Sequence, residues 1–470
     1  MDGLVCNEVL LSATKENKDF RIDSAFYTGI IKKNPVLSYG KIGNYLIKSQ
    51  YGISQDMNLD GKGYPIYRMN EIHDMLCDLY TEKYVDIDVA TMHKYLIKDG
   101  DVLFNRTNSY DFVGRTGIYY YTGTPQVFAS YLVRFTPNQE YIFPEYLTSF
   151  LSTKYGISEI KRRARQSINQ TNVNPEEVKE IQIPLLSREL QCKIRKAFYY
   201  AHQARLSAQS VYMDAEKVIQ SIFSLDDTVI GQKPYSIKTL KESFALSGRL
   251  DAEYHQPKFD VLFDTIKKFP HKRLGGDSGI VNIKKSIEPG SEAYKSEGIP
   301  FVRVRDVSKY GITPPEIHLS PDVVKNVKAL FPKKDTILFS KDGSVGIAYK
   351  LESDENIITS GALLHLTIKN ISEILPDYLT LVLNSPVVQL QAERDSNGAI
   401  IQHWKPSEIE NVIIPVLDMS KQKELAEMVQ KSFELRNYSK QRLDYAKRAV
   451  EMAIEQGEDV ALAWLKDKVE

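Results

Sequence analysis

Two polar segments recur at matching places in the chain, and their side chains suit nucleic-acid chemistry. The first reads Gly100-Asp101-Val102-Leu103-Phe104-Asn105-Arg106-Thr107-Asn108-Ser109, followed by Val113-Gly114-Arg115-Thr116-Gly117. The second reads Lys334-Asp335-Thr336-Ile337-Leu338-Phe339-Ser340-Lys341-Asp342-Gly343-Ser344-Val345-Gly346. Each is an apolar run opening into a loop with a cation, short hydrogen-bonding side chains and glycine. Such a loop can offer backbone N–H groups and a cation to phosphate, or side chains to base edges. The same composition suits a tight turn that caps its own backbone, and local sequence leaves both readings open. A second pair is Ile168-Asn169-Gln170-Thr171-Asn172 and Ile400-Ile401-Gln402-His403-Trp404. Asn and Gln can pair with adenine through two hydrogen bonds, or cap the helices expected near Pro175 and Pro406. The densest basic run, Lys161-Arg162-Arg163 with Arg165, reads either as a phosphate contact or as a solvated helix face.

Signatures of catalysis are missing from the sequence. There is no Gly-x-x-x-x-Gly-Lys-Ser/Thr phosphate loop and no Gly-rich strand–turn–helix suited to S-adenosylmethionine. Asn34-Pro35-Val36-Leu37 is not the Asn-Pro-Pro-Tyr run that holds a flipped adenine. The eight histidines show no close metal-ligand spacing. Pro321-Asp322, with Lys325 after it, lacks a nearby acidic strand residue and reads as a turn and helix start. Cys6, Cys77 and Cys192 are too few and too scattered for a disulfide framework or a cysteine zinc site, which fits a reducing cytoplasm. The 61 Lys+Arg balance 61 Asp+Glu, which argues against attachment to nucleic acid by bulk positive charge but leaves room for local basic patches. No apolar run approaches a membrane span, and Met1–Leu10 has no basic start of a secretory signal.

The elements that must position these loops are written twice. Arg21-Ile22-Asp23 returns as Arg249-Leu250-Asp251, and Gly63–Arg68 returns as Gly298–Arg303. Val102–Phe104 matches Ile337–Phe339, and Phe143–Thr148 matches Leu375–Thr380. Pro175 and Pro184 match Pro406 and Pro415. The order is kept while the offset drifts only between 228 and 235 residues, so a whole domain is duplicated. Each copy mixes short strands (Asp101–Phe104, Gly117–Tyr121, Phe128–Phe135, Thr336–Phe339, Val345–Tyr349, Ala362–Ile368) with short helices (Pro144–Lys154, Pro376–Leu383).

A long helical stretch follows each copy, at about 187–222 and 420–456. Seam positions fall in steps of four and three: Ile194, Phe198, Ala201, Arg205, Ala208, Tyr212, Ala215, Ile219 and Ile222. They recur in phase as Leu425, Val429, Ser432, Arg436, Ser439, Leu443, Ala446, Val450 and Ala453. This spacing predicts an antiparallel coiled-coil pair joined through a linker near Asp226–Pro234. At 1.5 Å per residue each helix would run about 54 Å. Arg205 and Arg436 interrupt the seam and either snorkel to its edge or meet acids on a partner.

The tandem organisation resembles the specificity subunit of type I restriction-modification systems. So do the Gly-Asp-Val-Leu-Phe-Asn-Arg-Thr-Asn-Ser run, its Val-Gly-x-Thr-Gly follow-up, the Ile-Asn-Gln-Thr-Asn segment and the Ile-x-Ile-Pro entry into a long helix. The resemblance covers nearly the whole chain. Copy two departs from it in a shortened loop after Phe339 and in Gln402-His403-Trp404.

The resemblance implies an α+β chain with two tandem α/β target recognition domains and approximate two-fold symmetry. The domains would span residues 1–185 and 225–417, the spacer helices 186–224 and 418–457, and a C-terminal tail 458–470. It implies a non-catalytic subunit reading a split site on double-stranded DNA, with no cofactor of its own. Its partners would be two adenine-N6 methyltransferase subunits and an ATP-dependent restriction subunit; S-adenosylmethionine, magnesium and ATP would belong to those partners. The DNA-contact candidates are Arg68, Asn105, Arg106, Thr107, Asn108, Arg115, Arg162, Arg163, Asn169 and Gln170 in copy one. In copy two they are Arg303, Arg305, Lys341, Ser344, Gln402 and His403. Other readings are the recognition subunit of a related phage-defence or methylation system, a DNA-acting enzyme of unrecognised type, and a protein-only scaffold.

Overall fold

A computed structural model describes residues 7–16, 20–29, 33–168, 170–225, 235–323, 326–398 and 401–469. Asn169, Ile400 and the linker Asp226–Pro234 lie outside the described residues. The chain divides into two units, one formed by Met1–Leu206 with Arg436–Glu470 and the other by Ser207–Leu435.

The first unit is built on strands β1 (Leu46–Tyr51), β2 (Val102–Asn105), β3 (Thr107–Asn108), β4 (Thr116–Ile118), β5 (Leu132–Pro137), β6 (Arg165–Gln166) and β7 (Thr171–Asn172). Its main sheet runs β1-β5-β2-β4 and is extended by the short strands Leu76–Cys77 and Ile72–His73. Val102, Phe104, Val133 and Phe135 bury one face of that sheet in the same core as helix α1 (Pro144–Ser152). Proline at the first turn suits this helix because its missing N–H would have had no helical partner. The helix expected over Pro144–Lys154 ends at Ser152. There Thr153 turns the chain and its side chain accepts from Gly156 N, capping α2 (Lys154–Arg163). The strand expected over Phe128–Phe135 is likewise two elements, Val127–Phe128 and β5. The long helix α3 (Arg188–Ile222) follows.

The second unit repeats the plan with β8 (Val281–Lys285), β9 (Ile337–Ser340), β10 (Asp342–Gly343), β11 (Ala348–Lys350), β12 (Leu363–Ile368) and β13 (Gln402–His403). Its sheet order is β8-β12-β9-β11. Helix α4 (Pro376–Leu383) takes the place of α1, and the long helix α5 (Met419–Gln456) takes the place of α3. The registers coincide. Leu132 faces Asn105 and Val133 faces Tyr51 in the first unit; Leu363 faces Ser340 and Leu364 faces Lys285 in the second.

The division between units falls inside both long helices. In the first unit Ile194, Phe198 and Ala201 of α3 share a core with Leu443, Ala446, Val450 and Ala453 of α5. In the second, Tyr212, Ala215 and Ile219 share a core with Leu425, Val429 and Phe433. The start of each helix thus lies beside the end of the other, so the pair is antiparallel. Small residues at Ala208 and Ser432 allow close approach, and the Ser432 hydroxyl donates to the Ala208 carbonyl at 2.7 Å. The fold class is therefore two tandem mixed units with long antiparallel helices.

Two expectations are corrected. Arg205 neither snorkels to solvent nor waits for a partner's acid: its guanidinium pairs at 2.5 Å with Asp78 of its own unit, which also holds His73 at 3.1 Å. The C-terminal tail is instead helix α6 (Glu458–Val469), whose Ala461 and Leu465 are buried in the first unit's core. Glu458 accepts the Ser187 N–H at 2.9 Å, tying α6 to the chain just before α3.

Candidate nucleic-acid interface

The two polar segments of each copy, about 60 residues apart in sequence, are brought together by β-pairing. In the first unit β3 pairs with β7 and β7 with β6, opposing Thr107 to Asn172, Asn108 to Thr171 and Gln166 to Thr171. The Thr107 hydroxyl donates to the Asn172 side-chain oxygen at 2.7 Å. In the second unit β10 pairs with β13, opposing Asp342 to His403 and Gly343 to Gln402. His403 Nδ1 lies 2.9 Å from Asp342 Oδ1, and the same carboxylate pairs with Lys341.

The backbones correspond bond for bond. Arg106 N donates to Tyr131 O at 3.0 Å and Lys341 N to Ala362 O at 2.9 Å. Val173 N donates to Arg106 O at 2.9 Å and Trp404 N to Lys341 O at 2.8 Å. Gly114 N reaches Asn105 O at 2.8 Å, and Gly346 N reaches Ser340 O at 2.9 Å. Both glycines have positive φ, 90° and 84°, which side-chain-bearing residues adopt only under strain. One scaffold therefore presents two different sets of side chains.

The helix-cap reading of the second pair of segments is settled for the first unit. The helix Pro175–Lys179 is capped by Asn174, which accepts from Glu176 N, and Gln170 stays exposed on the hairpin. Gln402 and His403 are exposed as well, whereas Trp404 is core and packs 5.8 Å from Phe339.

The candidates then fall into two groups. Arg106, Asn108 and Gln170 stand at the paired strands of the first unit, and Lys341, Ser344, Gln402 and His403 at those of the second. Arg115 stacks 3.7 Å from the Phe112 ring centroid beside the first group. Asn105 and Thr107 are buried and shape the turn, Asn105 through a bond to Met69 O at 3.3 Å.

The basic run is mostly structural, a correction to its reading as a phosphate contact. Arg162 donates to Phe26 O at 2.7 Å and to Glu159 at 2.8 Å. Arg163 is buried, donating to the Glu177 and Glu159 carbonyls at 3.0 Å and pairing with the Glu159 carboxylate. Burial acts to raise the Glu159 carboxyl, but Arg163 and Arg162 outweigh it and hold the group below the usual range. Lys161 is pushed down to about 8 by burial, its ammonium donating to the Tyr110 carbonyl. Arg165 remains exposed, 3.5 Å from Glu177.

Arg68 and Arg303 close matching turns: their backbone N–H groups donate to Glu71 at 2.7 Å and Asp306 at 2.9 Å, three residues on. Arg305 pairs with Glu316 at 2.5 Å.

The sequence reading missed Tyr51. It ends β1, is half exposed, and carries the Arg106 guanidinium 5.1 Å from its ring centroid. Nothing local marks Tyr51, because 55 residues separate it from Arg106. The neighbouring strands β1, β5 and β2 bring the two together.

Among the described residues no group of His, Cys, Asp and Glu is placed to hold a metal, and no helix is long and apolar enough to cross a membrane.

The family model for the type I restriction modification DNA specificity domain matches this chain twice, over residues 31–200 and 276–445. The chain belongs to that family. As a specificity subunit it supplies sequence recognition and not catalysis. A Methanocaldococcus jannaschii protein described as the type I restriction enzyme MjaX specificity subunit is 24% identical over 85% of this chain and 88% of its own length. The StySPI specificity subunit of Salmonella potsdam is 21% identical over 39% of this chain and 41% of its own. Among solved structures, the HsdS subunit from Thermoanaerobacter tengcongensis covers 91% of this chain and 99% of its own at 14% identity, with a TM-score of 0.30. The type I S subunit from M. genitalium covers 93% and 98% at 14% identity, with a TM-score of 0.33. Each match to the family's domain takes in one copy of the paired polar segments.

Proposed function

We propose that the chain reads a bipartite site on double-stranded DNA, one half-site per unit, within a type I restriction-modification complex. The supporting observation is the pair of turns with matching backbone hydrogen bonds and unlike side chains: Arg106, Asn108 and Gln170 in one, Lys341, Asp342, Gln402 and His403 in the other. A shared backbone with exchanged side chains is what two readers of different sequences require, since base edges are told apart by donor and acceptor pattern. Linked readers bind by effective concentration, so each half-site needs only modest affinity. The antiparallel helices set the distance between half-sites.

The remaining partners are two adenine-N6 methyltransferase subunits and an ATP-dependent restriction subunit, assembling in the cytoplasm. Those subunits supply methyl transfer and cleavage. Neutral net charge fits a reader whose few cations face DNA while acids line its other surfaces. Adenine-methylation mapping in cells carrying the chain with its partners tests this reading. A two-part motif with a fixed gap is expected; a continuous motif, or methylation independent of this chain, refutes it.

A further inference from the structure

The strand beside each polar turn ends in a different residue at the same register. Tyr51 faces Val133 on β5, and Lys285 faces Leu364 on β12. In the first unit the Arg106 guanidinium lies over the exposed Tyr51 ring, 5.1 Å from its centroid, and Arg106 Nη1 donates to Ser130 O at 3.4 Å. Among the described residues no carboxylate pairs with Arg106. A ring beneath a guanidinium restrains it without accepting from its N–H groups, so the Nη donors are kept for hydrogen bonds to guanine or to phosphate.

In the second unit the corresponding cation, Lys341, is neutralised by Asp342. Lys285 is exposed and crosses Gly361, the counterpart of Ser130. A side chain added at Gly361 would meet Lys285 Cε at 2.7 Å and Glu288 Oε1 at 2.7 Å, so glycine keeps open the ground on which Lys285 lies. The unpaired cation beside the turn has thus moved from the turn itself to the neighbouring strand.

We propose that Tyr51 and Lys285 are specificity-determining residues: Tyr51 orients Arg106 against one half-site, and Lys285 contacts the other directly. This rests on the DNA-reading role of the paired turns. It adds the last residue of β1 and of β8 to the recognition surface.

The test uses the complete modification complex containing this chain, a random duplex library, and sequencing of methylated adenines. Tyr51→Ala is expected to lower discrimination about tenfold or more at one or two positions of a single half-site, the scale of one lost base contact. Tyr51→Phe keeps the ring and should keep the wild-type motif. Lys285→Gln should alter only the opposite half-site; because Lys285 is exposed, this variant carries the test should Tyr51→Ala disturb the sheet. Arg106→Ala and His403→Ala serve as controls for the underlying reading. If the controls change the motif while Tyr51→Ala and Lys285→Gln leave it intact, the present inference falls and the DNA-reading role stands. If all four leave it intact, that role falls too. Changes by Tyr51→Ala and Lys285→Gln in the same half-site also overturn the assignment.

Discussion

Gln191 and Gln422, 231 residues apart, make the same three hydrogen bonds at the base of the two long helices. Gln191 Oε1 accepts Phe143 N at 2.9 Å, and its amide donates to the Tyr141 and Leu186 carbonyls at 3.3 and 3.0 Å. Gln422 Oε1 accepts Leu375 N at 3.0 Å, and its amide donates to Glu373 and Leu417 at 2.9 Å. Both side chains are buried. Each joins the entry of α1 or α4 to the chain segment that leads into a long helix, so sheet and stalk are fastened at the same point in both units. Tyr146 and Tyr378 repeat the arrangement, their hydroxyls donating to Pro184 O and Pro415 O.

Replacing Gln191 or Gln422 with Leu removes the partner of three backbone groups, buried at Phe143 N and Leu186 O in the first unit and half-buried in the second. A loss of about 2–4 kcal/mol is expected, read as a lower midpoint in denaturant unfolding. Equal stability to wild type would show that these junctions are not held by the glutamines.

Arg163 and Arg106 should separate cleanly. Arg163→Ala removes a buried partner of Glu159 and is expected to cost about 3 kcal/mol or more. Arg106→Ala should leave the melting temperature nearly unchanged, weaken DNA binding by the complex, and reduce the slope of log affinity against log salt by about 1. An intact slope and an intact motif in the Arg106 variant would exclude that side chain from the interface.

The helical spacer has its own signature. Deleting seven facing residues from each of α3 and α5 shortens the pair by about 10 Å, or about three base pairs of B-DNA. Methylation mapping should show a shorter gap between unchanged half-sites. The original gap in a folded variant would mean that the helices do not measure it.

His365 gives a pH dependence of stability. Burial, with a smaller contribution from Lys284, lowers it to about 4, and it shares a hydrogen bond with Thr359 at 2.8 Å. The folded value lies below the ordinary one near 6.5, so the unfolded chain binds the proton first. The contribution from neutral His365 is fully present above about 6.5 and is lost as pH falls toward about 4, by about 3 kcal/mol in all. His202, also pushed down to about 4 by burial, acts in the same direction in the first unit. Equilibrium unfolding at pH 7, 5.5 and 4.5 should show the decline, and His365→Asn should flatten the second unit's share. A His365→Asn protein with the wild-type pH profile would assign the effect elsewhere.

The long helices and the duplicated order were legible because they rest on local periodicity and on self-comparison. The seam residues from Ile194 to Ile219 are buried save Arg205, as steps of four and three require. The contacts of the basic run were not legible, because they are made with Phe26, 136 residues before Arg162, and with Glu177 on the next helix. No window around Arg162 contains Phe26. Helix α6 carries a local signal of its own: Glu458 and Asp459 in its first turn, Lys466 and Lys468 in its last, directly after Gly457 at φ 100°. Tyr51 could be found only once strand neighbours were known.

The first unit's core needs Leu443, Ala446, Val450 and the α6 residues Ala461 and Leu465, all encoded after the second unit, whereas the second unit is one uninterrupted stretch. On the ribosome the later-encoded unit is therefore the earlier to be complete. The earlier-encoded one must wait, with Ile194 and Phe198 uncovered, until the residues from Leu443 to Leu465 have been translated.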